Sequence, residues 1–341
     1  MFSAYPGYFL GRPKVDRIIA RVFNDDNVLY ASVLADEVDL LMDNSLKREL
    51  TFELGEQWER TGAGKVYLGY GPMRFAVANL NPELQIEPAF YDRRVRQALM
   101  HAIDRAVLTA TVHRGHRELL ANSLLPPSHS LYETVKDGYA RYTYDPARAR
   151  ALLADAGWVA GPDGALIDAT GRRFNPAPLW TSPGNEVEIG AIADYWKQVG
   201  VVVEQRISSL VQRRDQKFLS SFPLETTAAG TWDGVFQRVE SRELAVAPTY
   251  AGRNKSHYQN PQVDAAIDRF RQSLDAPAQA RAVKEVSDIM VEDLPLMPLF
   301  YNPTVPAAPK RIKALEDFRG GVAGGIGGTF SRNAHEWDIV L

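Results

Sequence analysis

Residues 231 to 258 concentrate the groups that could hold a small charged ligand. Trp232 and Tyr250 offer aromatic planes, Asp233 a carboxylate for an ammonium group, and Arg238 and Arg253 planar forks for a carboxylate. Asn254 and Tyr258 add hydrogen-bonding groups. All seven lie in a long irregular stretch between a strand at Gln205 and a helix opened by Pro261, and binding residues concentrate in such loops. A core role fits equally well, with Trp232 as a buried anchor and the charges solvated.

Catalytic and metal chemistry find less support. His113 and His116 form an HxxH spacing that would set two imidazoles on one helix face, but the Glu of the metalloprotease motif is absent and Gly115 interrupts the helix. A solvated helix end is the better reading. His101, His129, His257 and His335 are scattered and define no metal site. The glycines from Gly320 to Gly328 lack the Lys-Ser/Thr and the strand-to-helix setting of a nucleotide loop. Asp36, Glu37 and Asp39 read as a solvated turn, and no GxSxG occurs. The expectation from these residues is no catalysis, no cofactor and no metal.

The elements around these groups are well marked. Val95, Ala98, Leu99, Ala102, Ile103, Ala106, Val107 and Ala110 recur at helical spacing behind Asp92. Asp145-Pro146 opens a second helix that Gly157 ends. Val15 to Phe23 predicts a strand, DNVLYASVLA a helix and VDLLM a strand; Lys65 to Tyr70 and Met73 to Asn81 predict two strands split by a Gly71-Pro72 turn. Turn residues at Asp163-Gly164 and Thr170-Gly171 suggest a hairpin, and residues 179 to 207 predict a β-α-β unit with parallel strands. Two amphipathic helices follow, one behind Asn260-Pro261 and one over Pro277 to Asp293, and then the apolar strand LPLMPLFY.

Taken together, the strand ending FAVANLN, the VRQAL helix with its AID tripeptide, the Pro-Pro crossover and YDPARARALLADAGW resemble the peptide/nickel-binding family (family 5) of extracytoplasmic solute-binding proteins. YFLGRPKVDRIIARVF, ADEVDLL and LPLMPLFYNPTV agree, so the resemblance covers essentially the whole chain. It implies an α/β, two-lobed, periplasmic-binding-protein-like fold with the N-terminal part of the first lobe missing. The first lobe would comprise residues 1 to 80 and 295 to 341, and the second residues 81 to 294. Asn79 and Asn81 at one expected crossing, and Tyr301 at the other, would meet ligand or satisfy hinge backbone groups.

The implied function is capture of a short peptide between the lobes and its delivery to an ABC permease. The location implied is periplasmic or otherwise extracytoplasmic. The alternatives are a binder of nickel chelates or other small solutes, and a truncated remnant or regulatory module without a transport role. In peptide-binding relatives an Asp a few residues beyond a Trp grips the peptide amino terminus, whereas here Asp233 directly follows Trp232.

Bulk composition is compatible with this. With 341 residues, 45% hydrophobic and 24% charged, the chain can build two compact domains. A formal charge of -3 with no basic block argues against nucleic acid, and the absence of cysteine excludes disulfides and thiolate sites. No apolar run reaches the roughly 20 residues that span a bilayer. The first residues carry no signal-peptide pattern, so the resemblance suggests the C-terminal part of a longer receptor.

Overall fold

The computed structural model describes residues 1–43, 45–85, 87–231, 233–313 and 334–340. In chain order its strands are β1 (Phe2–Ser3), β2 (Arg17–Ile18), β3 (Gly64–Val66), β4 (Gly69–Ala78), β5 (Val159–Ala160), β6 (Leu166–Ile167), β7 (Ala177–Thr181), β8 (Val203–Ile207), β9 (Leu224–Ala228), β10 (Met297–Thr304), β11 (Ala307–Pro309), β12 (Ile312–Lys313) and β13 (Asp338–Ile339). The α-helices are α1 (Asp26–Leu34), α2 (Arg48–Thr61), α3 (Arg93–Ala102), α4 (Arg105–Val112), α5 (Tyr132–Val135), α6 (Pro146–Asp155), α7 (Glu186–Lys197), α8 (Gln216–Leu219), α9 (Gly234–Gln237), α10 (Pro261–Gln272) and α11 (Ala276–Asp293).

The chain divides into two compact units, one of Met1–Gly71 with Asn302–Leu341 and the other of Pro72–Tyr301. The boundaries thus fall inside β4 and β10, compared with crossings expected near Asn81 and Pro295. In the first unit, α1 and α2 bury Leu29, Val33, Leu54 and Trp58 with Leu41, Leu46 and Ala307. Asp25 caps α1 through two backbone amides. The strand expected over Val15 to Phe23 shrinks to β2, and VDLLM contributes only a bridge from Leu41 to Ala307. The Gly71-Pro72 turn is absent, because β4 runs straight through it. A Cβ on Gly71 would sit 2.7 Å from the Asn302 carbonyl oxygen, so this glycine serves close backbone approach and not chain reversal.

The second unit is organised by a five-stranded sheet of order β10-β4-β9-β7-β8. β7 is parallel to both β8 and β9, whereas β4 is antiparallel to β9. From β7 the chain steps to β8 through α7 and then returns past β7 to β9 through α8. Right-handed crossovers in opposite directions put α7 and α8 on opposite faces of the sheet. Side chains agree: Thr181 and Thr226 meet α7 through Arg74 and Glu188, and Trp180 meets Phe218 and Phe222 around α8.

The face toward α7 is sealed. Arg74, 5% exposed, donates from Nε to Glu188 Oε2 at 2.5 Å and from Nη2 to the hydroxyls of Thr181 (2.9 Å) and Thr226 (3.1 Å). One guanidinium thereby ties three strands to the first turn of α7. The continuous helix expected from Asp92 onward is two helices, because Asp104 accepts from the Val107 amide and starts α4 anew. Asp92, Asp145 and Asn260 cap α3, α6 and α10 as their positions suggest.

Two arginines of the VRQAL-AIDR stretch are buried beside backbone oxygens. Arg96 reaches the carbonyls of Phe90, Tyr91, Asp293 and Leu294. Arg105 donates to those of Ala121 (2.8 Å), Tyr139 (2.9 Å) and Tyr142 (3.3 Å), and burial brings its pKa down to about 10. Each fixes loop segments that have no ladder of their own. Lysine cannot replace the fork, having a single point charge.

Two stability outcomes follow from these buried guanidinium groups. Arg105→Lys should destabilise the protein by about 2 kcal/mol and Arg105→Met by about 3 kcal/mol, since buried carbonyls lose charged donors. Urea denaturation checks this, and an unchanged midpoint for Arg105→Met would contradict it. Glu188→Gln should cost about 3 kcal/mol by leaving Arg74 uncompensated, whereas Arg74→Met combined with Glu188→Leu should recover most of that loss. Additive losses in the double variant would show that the pair is not a unit.

Candidate functional site

The strand order creates a topological switch at β7 and β9, whose outgoing connections diverge to opposite faces. Open α/β sheets hold ligands at such points, beyond the carboxyl ends of the strands. Here that edge carries Ser182 to Asn185 after β7 and Ala229 to Thr231 after β9, beside the start of β4, where the Ala229 amide bonds the Met73 carbonyl. The Asn185 side chain holds the first loop through the Ser182 carbonyl at 3.0 Å, and Gly230 turns the second at φ 87°.

The sheet face toward α8 continues this edge and remains partly open. Leu179, Thr181, Leu224 and Thr226 on the opposite face are buried, but Trp180, Glu225 and Thr227 keep partial exposure. Trp180 pairs in register with Glu225, and Glu225 with Val77. Trp180 stacks on Phe222 at 4.8 Å with rings 5° apart. Phe218 stands edge-on to both. Burial pushes the Glu225 carboxyl above its ordinary pKa even though Arg238, Lys255, Arg74 and Arg213 oppose the shift.

The expected site residues divide by what they do in the structure. Arg238, just after α9, donates to the Ala228 carbonyl at 2.8 Å and lies 5.9 Å above the Phe75 ring. Burial lowers its pKa, with Glu225 opposing. Asp233 is exposed in front of α9, and Arg253 is exposed in the following loop. Tyr250 adopts φ 51°, with Lys217 Nζ 5.9 Å from its ring centre. These four stand in the segment that covers β9. Trp232 lies outside the described residues.

The remaining five are engaged internally. Asn254 is fully buried and bonds the carbonyls of Glu240 (3.0 Å) and Tyr258 (2.8 Å). Tyr258 bonds Asp293 at 2.6 Å. Asn79 bonds the Ser220 carbonyl at 3.2 Å and receives the Asn81 amide at 3.0 Å, so both sit at the far end of β4 from the switch edge. The Tyr301 hydroxyl reaches the carbonyls of Ser123 and Leu125, both at 2.7 Å.

Glu225, Lys255, Trp180 and Phe222 were absent from the expected set. Burial, offset partly by Glu225, brings Lys255 down to about 8, and its Nζ lies 3.4 Å from Gln216 Oε1. The alternation in LETTA assigns Glu225 and Thr227 to one face and would have brought Glu225 forward. His113 is buried edge-on to Phe300 at 4.6 Å, which corrects its reading as a solvated helix end; His116 pairs with Glu118 at 2.7 Å. The Gly320 to Gly328 stretch lies outside the described residues. Among the described residues no cluster of three metal-ligating side chains forms, and no helix is long and apolar enough to cross a membrane.

Comparisons with known proteins place this geometry in a family. Residues 1–236 match the model of the bacterial extracellular solute-binding proteins, family 5 middle. The chain is 23% identical over 324 residues to the oligopeptide-binding protein AppA of Bacillus subtilis (strain 168), covering 92% of this chain and 56% of that one. It is 24% identical over 318 residues to the glutathione-binding protein GsiB of Salmonella typhimurium, covering 90% and 57%. The chain therefore spans little more than half the length of these relatives. Among solved structures, NikZ from Campylobacter jejuni in complex with Ni(L-His) superposes with a TM-score of 0.70 at 20% identity, over 99% of this chain and 64% of that one. HbpA2 from Haemophilus parasuis does so with a TM-score of 0.73 at 18% identity, over 99% and 61%. Both likenesses show the α/β periplasmic-binding-protein-like fold. Because the family model takes in 236 of the 341 residues, the chain belongs to family 5 of the bacterial extracellular solute-binding proteins.

Proposed function

We propose that this chain is the solute-binding component of an ABC importer, capturing a small solute, first among them a short peptide, and delivering it to a permease outside the cytoplasm. The two compact units are read as the two lobes of the family. The observation that carries the reading is the open edge at the β7/β9 switch, with an aromatic pair, a carboxylate and several cations beside it, in a chain of this family. Asp233, Arg238, Tyr250 and Arg253 are the members of the expected set that this site retains, and Trp180 and Lys255 join them. ATP hydrolysis belongs to separate subunits.

A metal chelate is the second reading. NikZ, one of the structural neighbours, was solved with Ni(L-His). A chelate brings its own donor atoms, so the lack of a three-ligand cluster among the described residues does not weigh against it.

Thermal unfolding with a panel of tripeptides, glutathione, Ni-histidine and sugars tests both readings. A bound solute at one hundred times its dissociation constant should add about 2.7 kcal/mol, or about 5 °C in Tm for a chain of this size. Ser182→Trp, which fills the mouth of the switch edge, should abolish that shift and leave the midpoint without ligand unchanged within ~1 °C. No shift with any class would contradict a solute-binding role, and a full shift in Ser182→Trp would move the site elsewhere.

A further inference from the structure

The half-open face of β9 carries more cationic than anionic charge. Glu225 is the carboxylate of β9, and five cationic groups act on it or on Lys255: Arg238, Lys255 itself, Arg213, Arg253 and, from the opposite face, Arg74. Nearby acids are occupied elsewhere, with Asp215 capping α8 through the Phe218 amide and Glu243 lying 3.5 Å from the Arg253 amide. Arg238 spends one bond on the Ala228 carbonyl, while its buried Nε has no partner among the described residues. Among the described residues the Lys255 ammonium has the 3.4 Å contact with Gln216 and no other hydrogen bond. Neither cation makes an ion pair within 4.0 Å of Glu225 among the described residues.

Two partly buried cations with unused donors, on the face that also carries the partly exposed Trp180, are a costly arrangement for a structural purpose. Charges removed from water persist where they are paired or where they receive a partner. A carboxylate bonding to Lys255 Nζ beside the Arg238 guanidinium would compensate both cations, and the partly exposed Trp180 ring would take the attached carbon chain. An ammonium group could use only Glu225 and would face the surplus positive charge.

We propose that this face is an anion subsite, in which Arg238 and Lys255 receive a side-chain carboxylate of the solute and thereby select acidic peptides over neutral and basic ones. This rests on the solute-binding reading above and narrows it to a ligand class.

The pH dependence follows from the groups that face Lys255: Glu225 on β9, Arg238 after α9, Arg213 before α8, Gln216 on α8, and Arg253 and His257 in its own loop. Lys255, already down to about 8, loses its charge as pH rises through that value unless an anion holds the proton on. The Glu225 carboxyl is raised by burial. Loss of the Lys255 charge weakens anion binding at high pH. Burial lowers the His257 imidazole from its ordinary value.

Calorimetric titration of the full chain with triglutamate, trialanine and trilysine tests the subsite. At pH 7 triglutamate should bind at least about tenfold tighter than the other two, the discrimination expected of one buried charged contact. Lys255→Met and Arg238→Gln should each lower triglutamate affinity by about tenfold and trialanine affinity by less, so that the preference for the acidic peptide narrows. Between pH 7 and 9.5 triglutamate affinity should fall, and Lys255→Met should flatten that fall. Should Arg238→Gln fail to fold by circular dichroism, Lys255→Met carries the test alone, since its side chain has a single weak contact. Equal or tighter binding of trialanine or trilysine, or a Lys255→Met protein indistinguishable from the parent, would overturn the subsite and leave solute binding intact. Silence from all three peptides overturns the subsite as well, and the wider solute panel then decides the general role.

Discussion

The Arg74 guanidinium holds the strands on which the site is built. It joins β4, β9 and β7 to the first turn of α7, and it does so on the sealed face of the sheet. An isolated ion pair at that depth gains little over apolar packing, but its geometry is directional, so it fixes where the carboxyl ends of β7 and β9 come to rest. With that edge fixed, the opposite face can stay incompletely filled. The half-exposed Trp180, Glu225 and Thr227 are affordable because the α7 side carries the packing.

The buried arginines of α3 and α4 act in a second layer. Arg96 binds carbonyls just before α3 and at the end of α11, and Arg105 binds carbonyls within the connection between α4 and α6, so that long connection is ordered without a sheet. Their presence within the motif that signals the family shows how a conspicuous sequence pattern can mark a scaffold and not a site.

Much of the architecture was legible because helix ends carry local chemistry. Asp92, Asp145 and Asn260 each accept a backbone amide of the first turn, and the β7-α7-β8 unit follows from apolar periodicity bounded by Gly184 and Gly200. Less legible were features set by tertiary approach. Gly71-Pro72 has turn chemistry but lies within a strand because Asn302 comes too close for a side chain, and α2 hides four buried residues in a largely charged sequence. The site was half legible for the same reason. Residue type put Arg238 and Tyr250 in the candidate set, but Asn254, Tyr258 and Tyr301 satisfy backbone or side-chain partners inside the second unit, a choice that only packing decides. Glu225 and Lys255 draw their character from burial, which residue type alone does not reveal.

We propose that solute is held at the carboxyl ends of β7 and β9 and along the open face of β9. Hydrogen–deuterium exchange with and without a saturating peptide tests it most directly, because it reports backbone protection segment by segment. The account predicts that protection on binding is concentrated in residues 182–185, 229–238 and 249–255. Protection confined to the groove between α10 and α11, or to the first unit alone, would contradict it.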